Sequence, residues 1–325
     1  MLYPLKFNSQ LKECVWGGYA LGKYLGKEVP SGVRIGESWE LSAVQDNLSL
    51  VTNGFLAGNT IEELIEVYMA DLVGEKIYKK FGIEFPLLIK LVDTSDYLSV
   101  QVHPDDEMAE KLHHAYGKSE MWYVLDSDHD SKIVSGFNKA ITREEYVEIM
   151  REGKLEEYLK YEPVKPHDIV FIPSGSIHSL GKNIFLVEIQ QTSDLTYRIY
   201  DWNRKDLDGK SRELHTKLAV DAIKFQESPL ETMRIEPISN EPQKLLSCQY
   251  FTVNRLVLNE QVERDLYTRD SFRIYLCTKG DAIIKCDQAE EVSIVTGELV
   301  LVPAEMSGTR IVPSKSVELL EIYID

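Results

Sequence analysis

The feature that most restricts this chain is a succession of short apolar runs, rich in β-branched and aromatic residues, each closed by turn-forming residues. They cover Ser38–Leu41, Phe85–Val92, Leu98–His103, Met121–Leu125, Ile169–Ile172, Ile184–Gln190 and Thr196–Tyr200, then Phe251–Leu258, Phe272–Cys277, Ala282–Lys285, Leu299–Val302 and Val317–Ile324. Strands this short and this closely spaced predict antiparallel barrels or sandwiches, so the expected fold class is mainly β with a few helices. The helical patterns are Thr60–Met69, Asp105–Tyr116, Thr142–Arg151 and Leu214–Phe225. Asn59 or Thr60 serves as an N-cap ahead of Glu62 and Glu63, and Thr142 with Glu145 three residues on forms a capping box.

One internal echo organises the strands. HDIVFIPSG at His167–Gly175 and GELVLVPAE at Gly297–Glu305 share a polar turn, a buried strand and a proline. This unit resembles one that recurs in cupin barrels and predicts two related barrels, of the double-stranded β-helix or jelly-roll kind, broken in the Pro-rich stretch Ile235–Gln243. The expected domains are residues 1–235, metal-binding and catalytic with short helical segments, and residues 236–325, cupin-like and without metal ligands. The second expectation follows because no histidine occurs after His215. The C-terminal barrel is then expected to act by covering apolar surface of the first.

A formal charge of −17 disfavours nucleic acid as a partner, which would need clustered Lys and Arg, and obliges any anionic substrate to find local cations. The start MLYPLKFNSQLKECVWGG lacks a signal-peptide pattern, and no 18-residue apolar run follows, so the expected location is cytoplasmic, away from the membrane. The four cysteines, Cys14, Cys248, Cys277 and Cys286, form no CxxC pair and are expected to be free thiols.

The chemistry lies in the first half. In Leu98–His103 the alternation sets Leu98, Val100 and Val102 on one side and Ser99, Gln101 and His103 on the other. Lys90 interrupts the apolar run FPLLIKLV with a charge that needs a partner. Lys118 and Glu120 are two apart at a strand start, hence on one face, and His178 follows a glycine turn. Each alone reads as an exposed or satisfied residue. Together His103, His178, Glu120 and Gln101 offer two imidazoles, a carboxylate and an amide oxygen, a set suited to a four-coordinate divalent metal such as zinc.

On these residues the chain resembles a known family. QVHPDDE at Gln101–Glu107, GKSEMWY at Gly117–Tyr123, IPSGSIHSLG at Ile172–Gly181, YRIYDWNR at Tyr197–Arg204, WGG at Trp16–Gly18 and GESWELS at Gly36–Ser42 are similar to the signature blocks of type I mannose-6-phosphate isomerases of the short bacterial form. The resemblance implies one zinc ion per chain held by Gln101, His103, Glu120 and His178, with Arg198 at the active site. It places Lys90, Ser99, Lys118 and Arg198 in the substrate pocket. It implies interconversion of D-mannose 6-phosphate and D-fructose 6-phosphate and a small sugar phosphate as partner; the expected assembly is a monomer or weak homo-oligomer.

Isomerisation removes a proton alpha to a carbonyl and stabilises an enediolate. Glu188 is the sharpest candidate base, since Ile184, Leu186 and Glu188 share a strand face where burial would raise its pKa; metal-bound water and Lys118 are the alternatives. Its bland alternative is a core carboxylate paired with a cation. For Arg198 the alternative is an ion pair with Asp201 or Glu188. Two other readings of the whole remain open: a non-catalytic sugar-binding cupin, and a second metal-dependent cupin enzyme such as a non-haem iron oxygenase, because two His and a Glu also suit Fe(II).

Overall fold

The computed structural model describes residues 2–26, 29, 32–225, 230–265, 270–286, 289–306 and 308–325. It is mainly β, built on two large antiparallel sheets with two small ones beside the first. One large sheet has seven strands, in the order Thr232–Arg234, Asp168–Ile172, Glu120–Ser127, Ile184–Gln191, Leu87–Thr94, Gln10–Gly18 and Ile35–Leu41. Against it stand the pair Val100–Val102 with Tyr197–Tyr200, and a three-stranded piece of Ser179–Leu180, Lys132–Phe137 and Leu159–Pro163. A single bridge between Gln101 and His178 links these small pieces.

The other large sheet has eight strands, dominated by Arg273–Cys286 and Gly308–Tyr323, which pair along their length. The expected runs Phe272–Cys277 and Ala282–Lys285 are thus one strand, bent by register shifts at Cys277/Lys279 and Gly280/Ala282. Bulges of this kind let one ladder serve both arms of a strongly coiled sheet. The N-terminal Leu5–Lys6 joins this sheet, opposite Leu301 and Val300. The two echoed segments open alike: His167 and Gly297 both take positive φ immediately before Asp168–Ile172 and the turn into Leu299–Val302.

Strand alternation assigns the faces of the seven-stranded sheet. Leu87, Ile89, Leu91, Met121, Tyr123, Val187 and Ile189 join the same apolar core as Leu256, Tyr275, Leu301 and Leu320 of the eight-stranded sheet. The residues between them, Val92, Trp122, Val124, Ile184 and Leu186, face inward to a second core with Trp16 and Leu98. All eight residues of Leu87–Thr94 are buried, so this sheet is covered on both faces, as its apolar sequence predicts. The expected capping box forms at Thr142 with Glu145, and Thr60, one of the two N-cap candidates, forms a second with Glu63. Helices Ile61–Val73, Asp106–His113, Arg143–Glu152 and Thr216–Ala222 lie near the expected spans. Strands Gln10–Gly18, Lys132–Phe137 and Leu159–Pro163 and helix Glu75–Phe81 carry patterns too mixed to be read beforehand.

One expected face is corrected. Leu98 does not share a side with Val100 and Val102, which pack with Tyr197 and Ile199; it packs with Trp16 and Val92 instead. Ladder pairing with Tyr197–Tyr200 begins only at Val100, and residue 98 is held instead by a backbone bond from its N to Leu180 O at 2.9 Å. Among the described residues no helix is long and apolar enough to cross a membrane. All four cysteines are free.

Candidate active site

A row of directly opposed residues crosses the inner face of the seven-stranded sheet. Trp39 lies opposite Lys90, Lys90 opposite Glu188, and Glu188 opposite Trp122. Lys90 Nζ stands 3.2 Å from the Glu188 carboxylate, 3.6 Å from Glu37 and 5.1 Å from the centre of the Trp39 ring. Trp122 Nε1 donates to the other Glu188 oxygen at 2.9 Å. Burial works against the Lys90 charge, but Glu37 and Glu188 outweigh it and keep Lys90 an ammonium. The same burial raises the pKa of Glu188, helped by the charge on Glu120 and opposed by Lys90 and Lys118. Glu188 therefore combines both readings made of it, a desolvated carboxylate and the partner of a buried cation.

Glu120 and Lys118 enter from the adjoining strand. Asp106 fixes the turn before it, accepting from Gly117 N at 3.0 Å and from Gln191 Nε2 at 2.8 Å, while Gln191 Oε1 accepts from Ser119 N at 2.9 Å. The Lys118 side chain is thereby aimed inward, 3.1 Å from Glu120 Oε2 and 4.0 Å from Glu188. Neither half of this clamp was visible in the motif GKSEMWY.

His103 and His178 complete the cluster from the opposite pieces. His178 is set by the turn at Gly175, whose φ of +92° strains any residue with a side chain. Backbone bonds in both directions then join Gln101 and His178 at 3.0 Å. His103 Nδ1 lies 2.8 Å from Leu195 O, and His178 Nδ1 lies 2.9 Å from Ser176 O. A carbonyl only accepts, so both Nδ1 atoms carry protons and both Nε2 atoms turn their lone pairs inward. Burial keeps both rings neutral, His103 down to about 3 with the Lys118 charge adding to the effect.

Each Nε2 lies 3.4 Å from a different oxygen of Glu120. Glu120 is fully buried, yet neither carboxylate oxygen receives a well-directed hydrogen bond. A buried carboxylate without hydrogen bonds is costly, and the arrangement is one that a cation would satisfy. His103, Glu120 and His178 are the cluster of metal-ligand type among the described residues, their donor atoms all within 4.8 Å of one another. Gln101 adjoins it, with its amide end 3.2 Å from His178 Nε2.

A cavity of about 160 Å³ opens beside this cluster, and Gln101 and Lys118 belong to both. Lys90, Ser99, Glu188 and Arg198 also line it, whereas His103, Glu120 and His178 do not and form the cluster beside it. Arg198 sits directly across the ladder from Gln101. It does not form the ion pair weighed for it: Nη1 donates to Glu213 O at 2.9 Å and the buried Nε has no hydrogen-bond partner. Asp201 instead binds Arg204 and Arg212. Residues the sequence reading missed are Glu37 and Trp39, which lie in GESWELS, and Arg212, which sits in a charged loop with no signal of its own.

The fold and this cluster define the class: a cupin-type β protein with a buried pocket in which two neutral imidazoles and a carboxylate can hold a metal ion beside a carboxylate–lysine pair. Residues 4–139 match the model of the phosphomannose isomerase type I catalytic domain. The chain is 41% identical to mannose-6-phosphate isomerase ManA of Bacillus subtilis over 256 residues, 78% of each chain. It is 36% identical to the mannose-6-phosphate isomerase of Streptococcus mutans over 264 residues, 81% of each. Among solved structures, the mannose 6-phosphate isomerase of Bacillus subtilis superposes with a TM-score of 0.87 at 30% identity, covering 99% of this chain and 100% of that one. The chain belongs to the mannose-6-phosphate isomerase family.

Proposed function

We propose that the protein interconverts D-mannose 6-phosphate and D-fructose 6-phosphate, with Gln101, His103, Glu120 and His178 holding one zinc ion. The observation that carries this reading is the fully buried, hydrogen-bond-deficient Glu120 carboxylate flanked by two inward-facing Nε2 lone pairs. One carboxylate and three neutral ligands leave a bound divalent ion net positive, so its chemistry would be to polarise the substrate carbonyl. A half-turn of the Gln101 amide presents its oxygen in place of its nitrogen, the two ends being nearly isosteric.

The chain's own groups supply the rest. Glu188 takes the proton from one of the two carbons and returns it to the other; its raised pKa keeps a carboxyl competent for both directions. Lys90 holds it in place, and Trp122 fixes which oxygen remains for the substrate. Lys118 and Arg198 place positive charge beside the oxygens that gain charge as the enediolate forms. Ser99, buried in the pocket wall, offers a hydroxyl to the sugar. The residues past 235 act as the covering half, since their core is continuous with the outer face of the catalytic sheet.

The test is turnover of mannose 6-phosphate with and without a chelator, alongside elemental analysis and reconstitution with zinc or Fe(II). Zinc-loaded protein without turnover would leave a sugar-binding cupin, and activity restored by Fe(II) alone would leave a different metal enzyme.

A further inference from the structure

We propose that Arg212 is the group that recognises the phosphate of the substrate, held in place for that purpose by Asp201. The inference rests on the sugar-phosphate reading and names a residue and a device that reading does not require. Arg212 lines the same cavity as Arg198, Lys118 and Ser99. Its Nε and Nη2 bind the two oxygens of Asp201 at 2.9 and 2.5 Å, leaving the Nη1 edge of the fork without a partner among the described residues. Asp201 is buried, and its Oδ1 also accepts from Arg204 Nε and Nη2 at 3.1 and 2.8 Å. One carboxylate thus anchors two guanidinium groups and cannot neutralise both.

The neighbouring Arg198 forms no ion pair among the described residues and is tied to the loop that carries Arg212. Its side chain donates to Glu213 O at 2.9 Å, its backbone N donates to His215 Nδ1 at 3.2 Å, and its carbonyl accepts from His215 N at 2.7 Å. Three bonds therefore hold two like charges side by side before any ligand arrives. Burial, and after it the charge on Arg212, lowers the pKa of Arg198, against the opposing pull of Asp201 and Asp206. Of the acids lining the cavity, Glu37 and Glu188 are taken up by Lys90, and Asp194 is exposed at the rim. In a chain of net charge −17, the cavity wall gathers four cationic side chains, Lys90, Lys118, Arg198 and Arg212, against the acids Glu37, Glu188 and Asp194. A planar fork with a free edge, pre-oriented by a buried carboxylate, suits the oxygens of a phosphate dianion.

Position assigns the roles. Arg198 faces Gln101 across the ladder and so stands next to the imidazole cluster, whereas Arg212 lies beyond it on the loop. The reacting carbons then lie at the cluster and the phosphate at the far end of the sugar, over Arg212. A contact made equally in the ground and transition states changes KM and leaves kcat nearly untouched.

The experiment compares the full-length metal-loaded protein with Arg212→Gln, Arg212→Lys and Asp201→Asn. Arg310→Gln, which removes an exposed cation paired with Glu263 in the other sheet, controls for net charge. Arg212→Gln should raise KM for mannose 6-phosphate about 10- to 100-fold, the range for a hydrogen bond to a charged group, with kcat changed less than about threefold. Competitive inhibition by inorganic phosphate should weaken by a similar factor. Arg212→Lys should recover part of both effects, Asp201→Asn should show a smaller KM rise, and Arg310→Gln should match wild type. Active wild-type enzyme with KM and phosphate inhibition unchanged in Arg212→Gln would overturn the proposal, as would a loss in kcat at constant KM. Calorimetric titration with inorganic phosphate separates the two hypotheses. If wild type turns over no mannose 6-phosphate yet binds phosphate and Arg212→Gln does not, the seat stands and the isomerase reading falls. If Arg212→Gln unfolds, the Arg212→Lys and Asp201→Asn results decide.

Discussion

Replacing Lys90 by methionine tests the assignment of Glu188 as the proton-transfer group. At 3.2 Å and an effective dielectric of about 20, the Lys90–Glu188 attraction amounts to about 5 kcal/mol, or three to four pK units at about 1.4 kcal/mol each. That figure is a ceiling, because Lys118 at 4.0 Å remains and the pocket relaxes, so a rise of about one to two units is expected. Lys90 favours the ionised form of Glu188; without it the base form is populated only at higher pH. The acid limb of kcat/KM should therefore move upward, while Lys90→Arg, which keeps the charge, leaves it in place. Glu37→Gln has the opposite sign: the charge on Glu37 raises the Glu188 pKa, so its removal moves the limb downward. The assay is kcat/KM against pH for the parent and the three variants at constant metal loading. Coincident acid limbs in Lys90→Met and the parent, or a downward shift in Lys90→Met, would refute the role of Glu188. The same variant should melt lower, by about 3–5 kcal/mol for a buried pair deprived of one partner. Its deficit should grow as pH rises from the unfolded carboxyl pKa through the folded one, because a group with a raised folded pKa loses stability when it must ionise.

His103→Ala and His178→Ala should each lose bound metal along with activity, measured by elemental analysis; stoichiometric metal and wild-type turnover in both would refute the ligand set. Arg198→Lys keeps charge but loses the planar fork, and kcat should fall by about one to three orders of magnitude with KM little changed if it meets the enediolate. Unchanged kcat and KM would return Arg198 to a structural role. In the eight-stranded sheet, Arg264 forks onto the fully buried Glu321 at 2.8 and 2.9 Å. Arg264→Met should cost about 3–5 kcal/mol in chemical denaturation without altering metal content. Burial pushes the Glu321 pKa up, and Arg264 outweighs it so that the net shift is downward; the pair's contribution is present above the unfolded carboxyl pKa and lost as pH falls. The stability deficit of Arg264→Met should accordingly shrink in acid, and a deficit independent of pH would count against the pairing.

The sequence by itself determined which side chains look inward. A strand's period of two fixes faces without reference to any partner, so Ser99, Gln101 and His103 were assignable to one side of their strand and Glu188 to the face of Ile184 and Leu186. Helix starts at Thr60 and Thr142 were equally legible, because a capping box closes within four residues. The joint presence of the metal-type residues was carried by family motifs rather than by any local pattern. Tertiary structure alone decided who faces whom. Lys90 meets Glu188, and Glu188 meets Trp122, only through ladder registers between residues far apart in the chain, and a one-residue slip would turn each side chain away. Leu98 left its expected face because pairing with Tyr197–Tyr200 starts after it and its N bonds to Leu180 O, and Leu5–Lys6 joined a sheet made by residues at the other end of the chain. Arg212 shows the limit most clearly: in its own loop it is one charge among several, and its position beside Arg198 depends on hydrogen bonds to Asp201, Glu213 and His215 that no periodicity encodes.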